Sequence, residues 1–456
     1  MRYIFAIISL LFYTVLIAQQ RPNVLLIYVD DLNDRLGCYG DSVAQTPNID
    51  QLAAEGTLFK RPYCQQALCA PSRASTLTGL RPSTLGVLSL KEDFRKRWEA
   101  HPTLPELFRK NGYFTARAGK VFHQGVPDAI AQQSSGADVP EAWDKAIDVP
   151  GYELNNNGYY YNATPWESHR VGAGGAIAWL RAEKGDERHH DYNIATEVIQ
   201  LMEEAKDRPF FLAAGFIRPH VPLVAPKRYF ERFDSVAIQP ISVPATDRED
   251  MPNIAYDTWA GHFNLPETER REAMRAYYAC TAFVDDQVGR LVGALKNLGL
   301  YDNTIVVLVS DHGYQLGEHG LWFKNFLFRE SAIAPLIIRH PGIGPGIVEE
   351  VVELLDLYPT LAKMAELNAP ANLEGRDMTA LMQGQPQGWK NYAIVETRHQ
   401  GVVGKAVYTP DWSYMDWGEH GEELYDLKRD VYQWDNLAGR EEYRIVINAL
   451  RRKLEE

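Results

Sequence analysis

Cys69 opens the run Cys69-Ala70-Pro71-Ser72-Arg73, continued as Ala74-Ser75-Thr76-Leu77-Thr78-Gly79-Leu80-Arg81-Pro82. A free cysteine is usually a small buried hydrophobe or half of a disulfide. Here Pro71 suits the first turn of a helix, and the residues after it are helix-compatible up to Gly79. That predicts Cys69 at a helix N-terminus, where unpaired N–H groups favour an anion, with Arg73 adding a fixed charge one turn on. Asp30-Asp31 and Asp311 each follow an apolar run, and adjacent central strands would bring all three acids to one sheet edge. Carboxylates that close repel unless a cation sits among them, and all-oxygen ligation selects a hard ion, calcium or magnesium. Helix capping is the alternative for Asp30-Asp31. Lys120 and His123 follow another strand end, three residues apart; alone each reads as solvated or packed, together they offer two donors to one tetrahedral anion. His220, in Arg218-Pro219-His220-Val221-Pro222, is held in a rigid, non-helical loop that suits a catalytic or anion-binding imidazole.

The elements that must position these residues are legible in outline. Val24-Leu25-Leu26-Ile27-Tyr28-Val29 and Thr304-Ile305-Val306-Val307-Leu308-Val309 are continuous apolar runs, fit for central strands covered on both faces of a mostly parallel sheet. Residues 57–63 form the strand that delivers the chain to Cys69. Phe114 to Arg117, Phe210 to Ile217 and Pro335 to Arg339 read as further strands. Helices are expected over 46–56, from Thr103 to about Asn111-Gly112, and over 192–206, 267–298 and 355–367. Residues 124–186 turn to Gly, Asn, Tyr and Ser, including Asn155-Asn156-Asn157 and Tyr159-Tyr160-Tyr161. This reads as an irregular excursion walling a cleft, its aromatics open to sugar stacking or to plain packing. Gly384 to Gly388 marks a boundary, giving a main domain over 21–385 and a C-terminal subdomain over 386–456. In the latter, Tyr392 to Glu396, Lys405 to Tyr408 and Trp412 to Asp416 read as short antiparallel strands before a helix over 441–454.

The chain has 456 residues, 45% hydrophobic and 23% charged, enough for a large core with a smaller appendage. A net charge of −13 gives no reason to expect nucleic acid, so an anionic substrate must be drawn in by a local basic pocket. Residues 1–18 read as a secretion signal, with Arg2 as charge, Ile4 to Ile17 as apolar run and Leu16-Ile17-Ala18 as cleavage site. A membrane anchor is the alternative, and no cysteine follows to suggest a lipoprotein. The mature chain is then secreted or periplasmic, with no stable membrane insertion after cleavage. Of the four cysteines, Cys38 and Cys64 could pair, Cys280 reads as core, and the set is a poor disulfide framework.

The order Cys-x-Pro-Ser-Arg followed by Leu77-Thr78-Gly79-Leu80-Arg81-Pro82 resembles the signature of the type I sulfatases. In that family a maturing enzyme oxidises the cysteine to formylglycine, whose hydrated aldehyde attacks sulfur and carries the sulfate covalently. Further segments are similar to the iduronate-2-sulfatase branch from Asn23 to about Ala438. They are Asp30-Asp31 with Leu36-Gly37-Cys38-Tyr39-Gly40, Gln65-Gln66-Ala67-Leu68 ahead of Cys69, and Gly119-Lys120-Val121-Phe122-His123. Asp311-His312-Gly313 with Leu316-Gly317-Glu318-His319-Gly320, and Glu423-Leu424-Tyr425-Asp426-Leu427, complete the set.

The resemblance implies an alkaline-phosphatase-like α/β sandwich with a large mostly parallel sheet and a smaller C-terminal α+β subdomain. It implies calcium held by Asp30, Asp31, Asp311 and His312, with modified Cys69 also in contact. Most sulfatases have Asn where His312 stands, and a nitrogen ligand runs against the hardness of calcium. Calcium and Arg73 would hold the nucleophile, Lys120, Lys324 and His220 would bind sulfate oxygens, and His220 or His123 would protonate the leaving sugar oxygen. Arg398 and His399 could read a carboxylate or sulfate of the sugar, or form a solvated pair. The expected substrate is a sulfated acidic sugar, 2-O-sulfated uronic acid foremost, in glycosaminoglycan fragments or marine polysaccharides such as ulvan. A phosphatase or phosphonate monoester hydrolase of the same superfamily is the rival enzyme, and two metals with extra His and Asp ligands would favour it. A sulfated-glycan-binding protein with unmodified Cys69 is the non-enzymatic rival.

Overall fold

The computed structural model describes residues 21–126, 129, 132–150, 161–162, 177–183, 185–256 and 265–455. The expected signal over 1–18 lies outside them, as does most of the Asn/Tyr-rich stretch 151–176. No described helix is long and apolar enough to cross a membrane.

The main sheet has eight strands: β1 (Asn23–Val29), β2 (Thr57–Tyr63), β3 (Phe114–Gly119), β4 (Lys145–Ile147), β5 (Phe210–Phe216), β6 (Thr304–Ser310), β7 (Leu336–Arg339) and β8 (Gly346–Glu353). Their order is β8-β2-β7-β6-β1-β5-β3-β4. β1 lies centrally, parallel to β5 and β6, with Ile27 opposite Ala214 and Leu308. β7 runs antiparallel between β2 and β6. β1 and β6 are buried at every position because helices cover both faces, which is why their sequences are apolar throughout rather than alternating. Val24, Leu26 and Tyr28 pack with Ala74, Leu77, Leu107, Phe108, Tyr358 and Leu361 on one face. Leu25, Ile27 and Val29 pack with Ile49, Leu52, Val198, Val284 and Leu291 on the other. Each such fully buried aliphatic side chain contributes about 1.5–3 kcal/mol. The helices responsible are Cys69–Thr78, Leu104–Lys110 and Leu357–Met364 on the first face, and Pro47–Glu55, His190–Ala205 and Glu267–Asn297 on the second.

A second sheet of four antiparallel strands follows: β9 (Ala393–His399), β10 (Val402–Tyr408), β11 (Trp412–Asp416) and β12 (Glu422–Asp426). Its alternation splits cleanly. Val395, Ala406, Tyr408 and Met415 pack onto Tyr63, Phe326 and Phe328 of the main body. Ile394, Val407, Tyr414 and Leu424 pack under Ile447 and Leu450 of the C-terminal helix Arg444–Glu455. Gln66 forms a parallel bridge with Glu396, so β9 reaches the segment leading into Cys69. All four cysteines, Cys38 and Cys64 included, are free thiols.

Candidate active site

β1, β2, β3, β5 and β6 share one direction, so the residues following them meet at one sheet edge. β1 is followed by Asp30-Asp31, β3 by Lys120, β5 by the loop carrying His220, and β6 by Asp311-His312. β2 leads through residues 64–68 to the helix whose first residue is Cys69. That helix is buried from end to end and stops at Gly79, whose φ of 70° is the left-handed value a glycine tolerates.

Arg73 is the hub of the edge and has no exposed surface. Its Nε donates to Asp311 at 2.8 Å, one terminal nitrogen donates to Asp30 at 2.8 Å, and the other donates to the carbonyls of Lys120 and Val121 at 2.6 and 3.1 Å. Lys120 Nζ reaches Asp30 at 2.6 Å, and Lys324 Nζ reaches both oxygens of Asp31 at 2.7 and 2.6 Å. Asp311 also accepts the backbone N–H of Asp31 and of His312, each at 3.1 Å. His312 sets Nδ1 on the Gly313 carbonyl at 2.8 Å, which turns Nε2 inward, 3.4 Å from Cys69 Sγ and 3.5 Å from Asp31. Ser72 Oγ donates to the Asp311 carbonyl, tying the Cys69 helix to the end of β6.

Burial governs the ionisation of this cluster. It would raise Asp30, but the Lys120 ammonium and Arg73 guanidinium outweigh it and hold that carboxyl well below the ordinary range. For Asp31 burial wins over the pull of Lys324 and lifts it to about 7. Burial would lower His312, but Asp311 and Cys69 lift it to about 9. Asp30, Asp31, Cys69 and His220 bring ligand atoms within 4.8 Å of one another, and Cys69, Asp311 and His312 do the same. The clustered carboxylate oxygens of Asp30, Asp31 and Asp311, with one imidazole nitrogen held inward, fit a metal ion.

Beside the cluster a pocket is lined by Cys69, Lys120, His123, His220, Lys324 and Asn325, with Leu68, Leu90, Val126 and Phe323 as its apolar wall. Burial, joined by Lys120, pushes His123 down to about 3; burial, joined by Lys324, holds His220 well below its usual range. Burial thus disfavours the imidazolium form of both. His220 places Nδ1 on the Val221 carbonyl at 2.6 Å and Nε2 3.9 Å from Asp31, while His123 Nδ1 is buried with no hydrogen-bond partner among the described residues.

The ten residues expected for catalysis and metal thus sit at one edge. Arg398 and His399 do not line this pocket. Arg398 is exposed and pairs with Glu92 at 3.2 Å. His399 is buried against Trp417, its ring nitrogens on the carbonyls of Ile254 and Asn325, so it cannot read a sugar directly. The expectation of a substrate-reading His399 is corrected: it alternates inward on β9 and buttresses Asn325. Three residues had been passed over. Asn325 follows Lys324 and could have been found by that adjacency; Ser72 lies within the motif itself. Asp191, which accepts the N–H groups of Ile217 and Arg218 at 2.9 Å each and so pins the His220 loop, carries no sequence signal.

Comparison with known proteins bears on the chemistry. The profile of the family described as Sulfatase matches residues 22–367, and one described as N-sulphoglucosamine sulphohydrolase, C-terminal, matches 317–456. The chain is 34% identical over 452 residues to a sulfatase of Formosa agariphila, covering 94% of this chain and 86% of that one. It is 34% identical over 398 residues to human iduronate 2-sulfatase, covering 76% and 70%. A phosphonate monoester hydrolase of Agrobacterium radiobacter superposes with a TM-score of 0.80 over 95% of each chain, at 24% identity, which speaks to the fold alone. This is the alkaline-phosphatase-like α/β architecture, carrying a mixed, mostly parallel sheet and a C-terminal antiparallel one. The matched stretch holds every residue of the buried edge, and the chain belongs to the sulfatase family, as a sulfuric ester hydrolase.

Proposed function

We propose that this protein is an exported exo- or endo-acting sulfatase of acidic sugars, with a 2-O-sulfated uronic acid as its preferred substrate. The observation that carries the reading is the convergence of Cys69, Lys120, Lys324, His123 and His220 on one pocket beside three buried carboxylates. The 34% identity to an enzyme named iduronate 2-sulfatase supports the sugar, and the apolar wall of Leu90 and Phe323 suits one face of a pyranose ring.

In this reading Cys69 would be converted by a maturing enzyme to formylglycine, the hydrate of its aldehyde would supply the nucleophilic hydroxyl, and Asp30, Asp31, Asp311 and His312 would hold a calcium ion able to lower the pKa of that hydroxyl. The chain's own residues do the rest. Arg73 fixes Asp30 and Asp311 through one carboxylate oxygen each, the other oxygen being held by Lys120 in Asp30 and by the N–H groups of Asp31 and His312 in Asp311. Lys120 and Lys324 lie beside the pocket as ammonium donors for sulfate oxygens, concentrated where charge develops in an in-line displacement. A sulfate anion in the pocket would favour the imidazolium form of His220, oriented by the Val221 carbonyl, or of His123, and from that form a proton passes to the departing sugar oxygen. Export rests on the apolar N-terminal run, and a subdomain boundary near 385/386 on the Gly/Gln/Pro-rich break between the two sheets.

The test is sulfate release from defined sugars by matured protein, with Cys69→Ala alongside. The panel holds 2-O-, 3-O- and 6-O-sulfated uronates and hexosamines, ulvan fragments and a phosphate monoester. Release confined to 2-O-sulfated uronate, lost in the variant and accompanied by an aldehyde on the Cys69 peptide in mass spectrometry, is expected. Sulfate freed from another sugar keeps the chemistry and discards the uronate assignment. Turnover of the phosphate ester alone overturns the sulfatase proposal.

A further inference from the structure

Directly after Asp311-His312-Gly313 the chain makes a short hairpin, Gln315–Leu316 paired antiparallel with Trp322–Phe323, and its second strand runs straight into Lys324 and Asn325. This hairpin is strained. His319 (φ 55°), Phe323 (φ 74°) and Asn325 (φ 77°) are non-glycine residues in the left-handed region, beside Gly317 and Gly320 in the same region. Each such residue costs on the order of 1 kcal/mol or more, and persists only where its surroundings fix it.

At the tip the fixing group is explicit. His319 has no exposed surface. Its Nδ1 lies 3.0 and 3.2 Å from the two carboxylate oxygens of buried Asp247. The neighbouring Arg248 donates to the His319 carbonyl at 3.1 Å, so two consecutive residues clasp one. The ring stacks on Phe328 at 4.0 Å and leans on Trp434 at 4.7 Å. The other end of the segment is anchored too: the Asn325 N–H donates to the Ala67 carbonyl at 2.8 Å, two residues before Cys69. Between these anchors lies Lys324, facing Asp31 and the pocket.

We infer that the His319–Asp247 pair is a positioning latch for Lys324: it holds the strained hairpin in the one shape that aims the ammonium at the reacting group. His319 touches neither pocket nor metal cluster, so it acts through Lys324 and is a positioning residue. The inference rests on the proposed role of Lys324 as a sulfate contact. A side chain displaced by about 1 Å can cost roughly 100-fold in rate, which sets the size of the effect sought.

The test is a double-mutant cycle on kcat/KM for sulfate-ester hydrolysis by matured full-length protein. Its members are His319→Phe, Lys324→Ala and the pair. Phe keeps a ring on Phe328 and Trp434 but removes the bond to Asp247. Asp247→Asn is the milder second variant, retaining an oxygen that accepts from Nδ1, and it should keep most of the parent activity. Affinity for inorganic sulfate gives an independent readout of the anion site. The expected result is a loss of about 100-fold in kcat/KM for His319→Phe, weaker sulfate binding, and no further loss when the same change is made in Lys324→Ala. Additive losses in the double variant overturn the latch while leaving the role of Lys324 standing. A Lys324→Ala variant of full activity and unchanged sulfate affinity overturns the role of Lys324 itself, and the latch with it. Should His319→Phe fail to fold, Asp247→Ala in the two Lys324 backgrounds decides by the same comparison.

Discussion

At the scale of single residues, Arg73 decides whether the site exists. Its guanidinium spans Asp30 and Asp311 and caps two carbonyls, all out of water. Removing one partner of a buried pair strands the other charges, at a cost of about 3–5 kcal/mol. Arg73→Ala is therefore expected to lower the urea midpoint by that equivalent, while Arg73→Lys keeps a charge but loses the two-way fork and falls between. The histidines divide differently. A phenolate leaves without a proton and a sugar alkoxide does not, so the proton donor matters more for sugar sulfates. His220→Gln is expected to slow a sugar sulfate far more than an aryl sulfate; a ratio unchanged from the parent, with the bias appearing in His123→Gln instead, moves the donor's role to His123.

At the scale of elements, the loop after β5 shows how a functional side chain is held without regular structure. Residues 217–222 cannot pair in the sheet, so their backbone donors need other acceptors. Asp191, in the first turn of His190–Ala205, supplies them for Ile217 and Arg218, and Arg218 in turn donates to the His220 carbonyl at 2.9 Å. Asp191→Ala leaves two buried N–H groups without that acceptor, each worth about 1–3 kcal/mol. Loss of activity with a lowered melting temperature is expected, and Asp191→Asn should retain more of both. The β9 strand works similarly on the other wall. Thr397 Oγ1 donates to Asn325 Oδ1 at 3.1 Å and a His399 ring nitrogen sits on the Asn325 carbonyl, so the second sheet shapes the pocket through Asn325.

At the scale of the whole molecule, Glu353 joins the two sheets. At the end of β8 it accepts two bonds from Arg81 at 2.8 and 3.0 Å, one from the Ile394 N–H of β9 at 2.9 Å, and one from Lys390. Burial would raise this carboxyl, but Arg81 and Lys390 prevail and bring it to about 2. A depressed carboxyl stabilises the fold above its unfolded pKa, near 4.3, and loses that contribution as pH falls toward its folded value. Glu353→Gln is thus expected to cost the most stability at pH 7, the difference from the parent narrowing below about pH 4.3 in urea titrations run at successive pH values. A gap independent of pH would mean that the pair adds nothing through its charge.

What the sequence by itself determined was local. Residues 57–63 and 412–416 are strands to the residue, and the apolar run from Thr304 to Val309 is a strand that takes in Ser310 as well, because continuous or alternating apolar runs between turn residues leave few other ways to bury them. The Cys69 helix and its Gly79 stop follow from Pro71 and from glycine's tolerance of positive φ. Three features were not legible. β8 reads Gly-Ile-Val-Glu-Glu-Val-Val-Glu, polar because it is an edge strand. The reversed direction of β7 and the pairing of β12 are invisible to periodicity, which encodes burial along a strand and not its neighbours. The site divides along the same line. Its acids, lysines and histidines could be named because each follows a recognisable strand end or belongs to a family motif. Which of them meet was decided by strand order, since β1 lying between β5 and β6 is what sets Asp30, His220 and Asp311 side by side. The inward turn of His399 and the left-handed His319 were likewise decided by packing, because a side chain's face and a strained φ are fixed by what surrounds them.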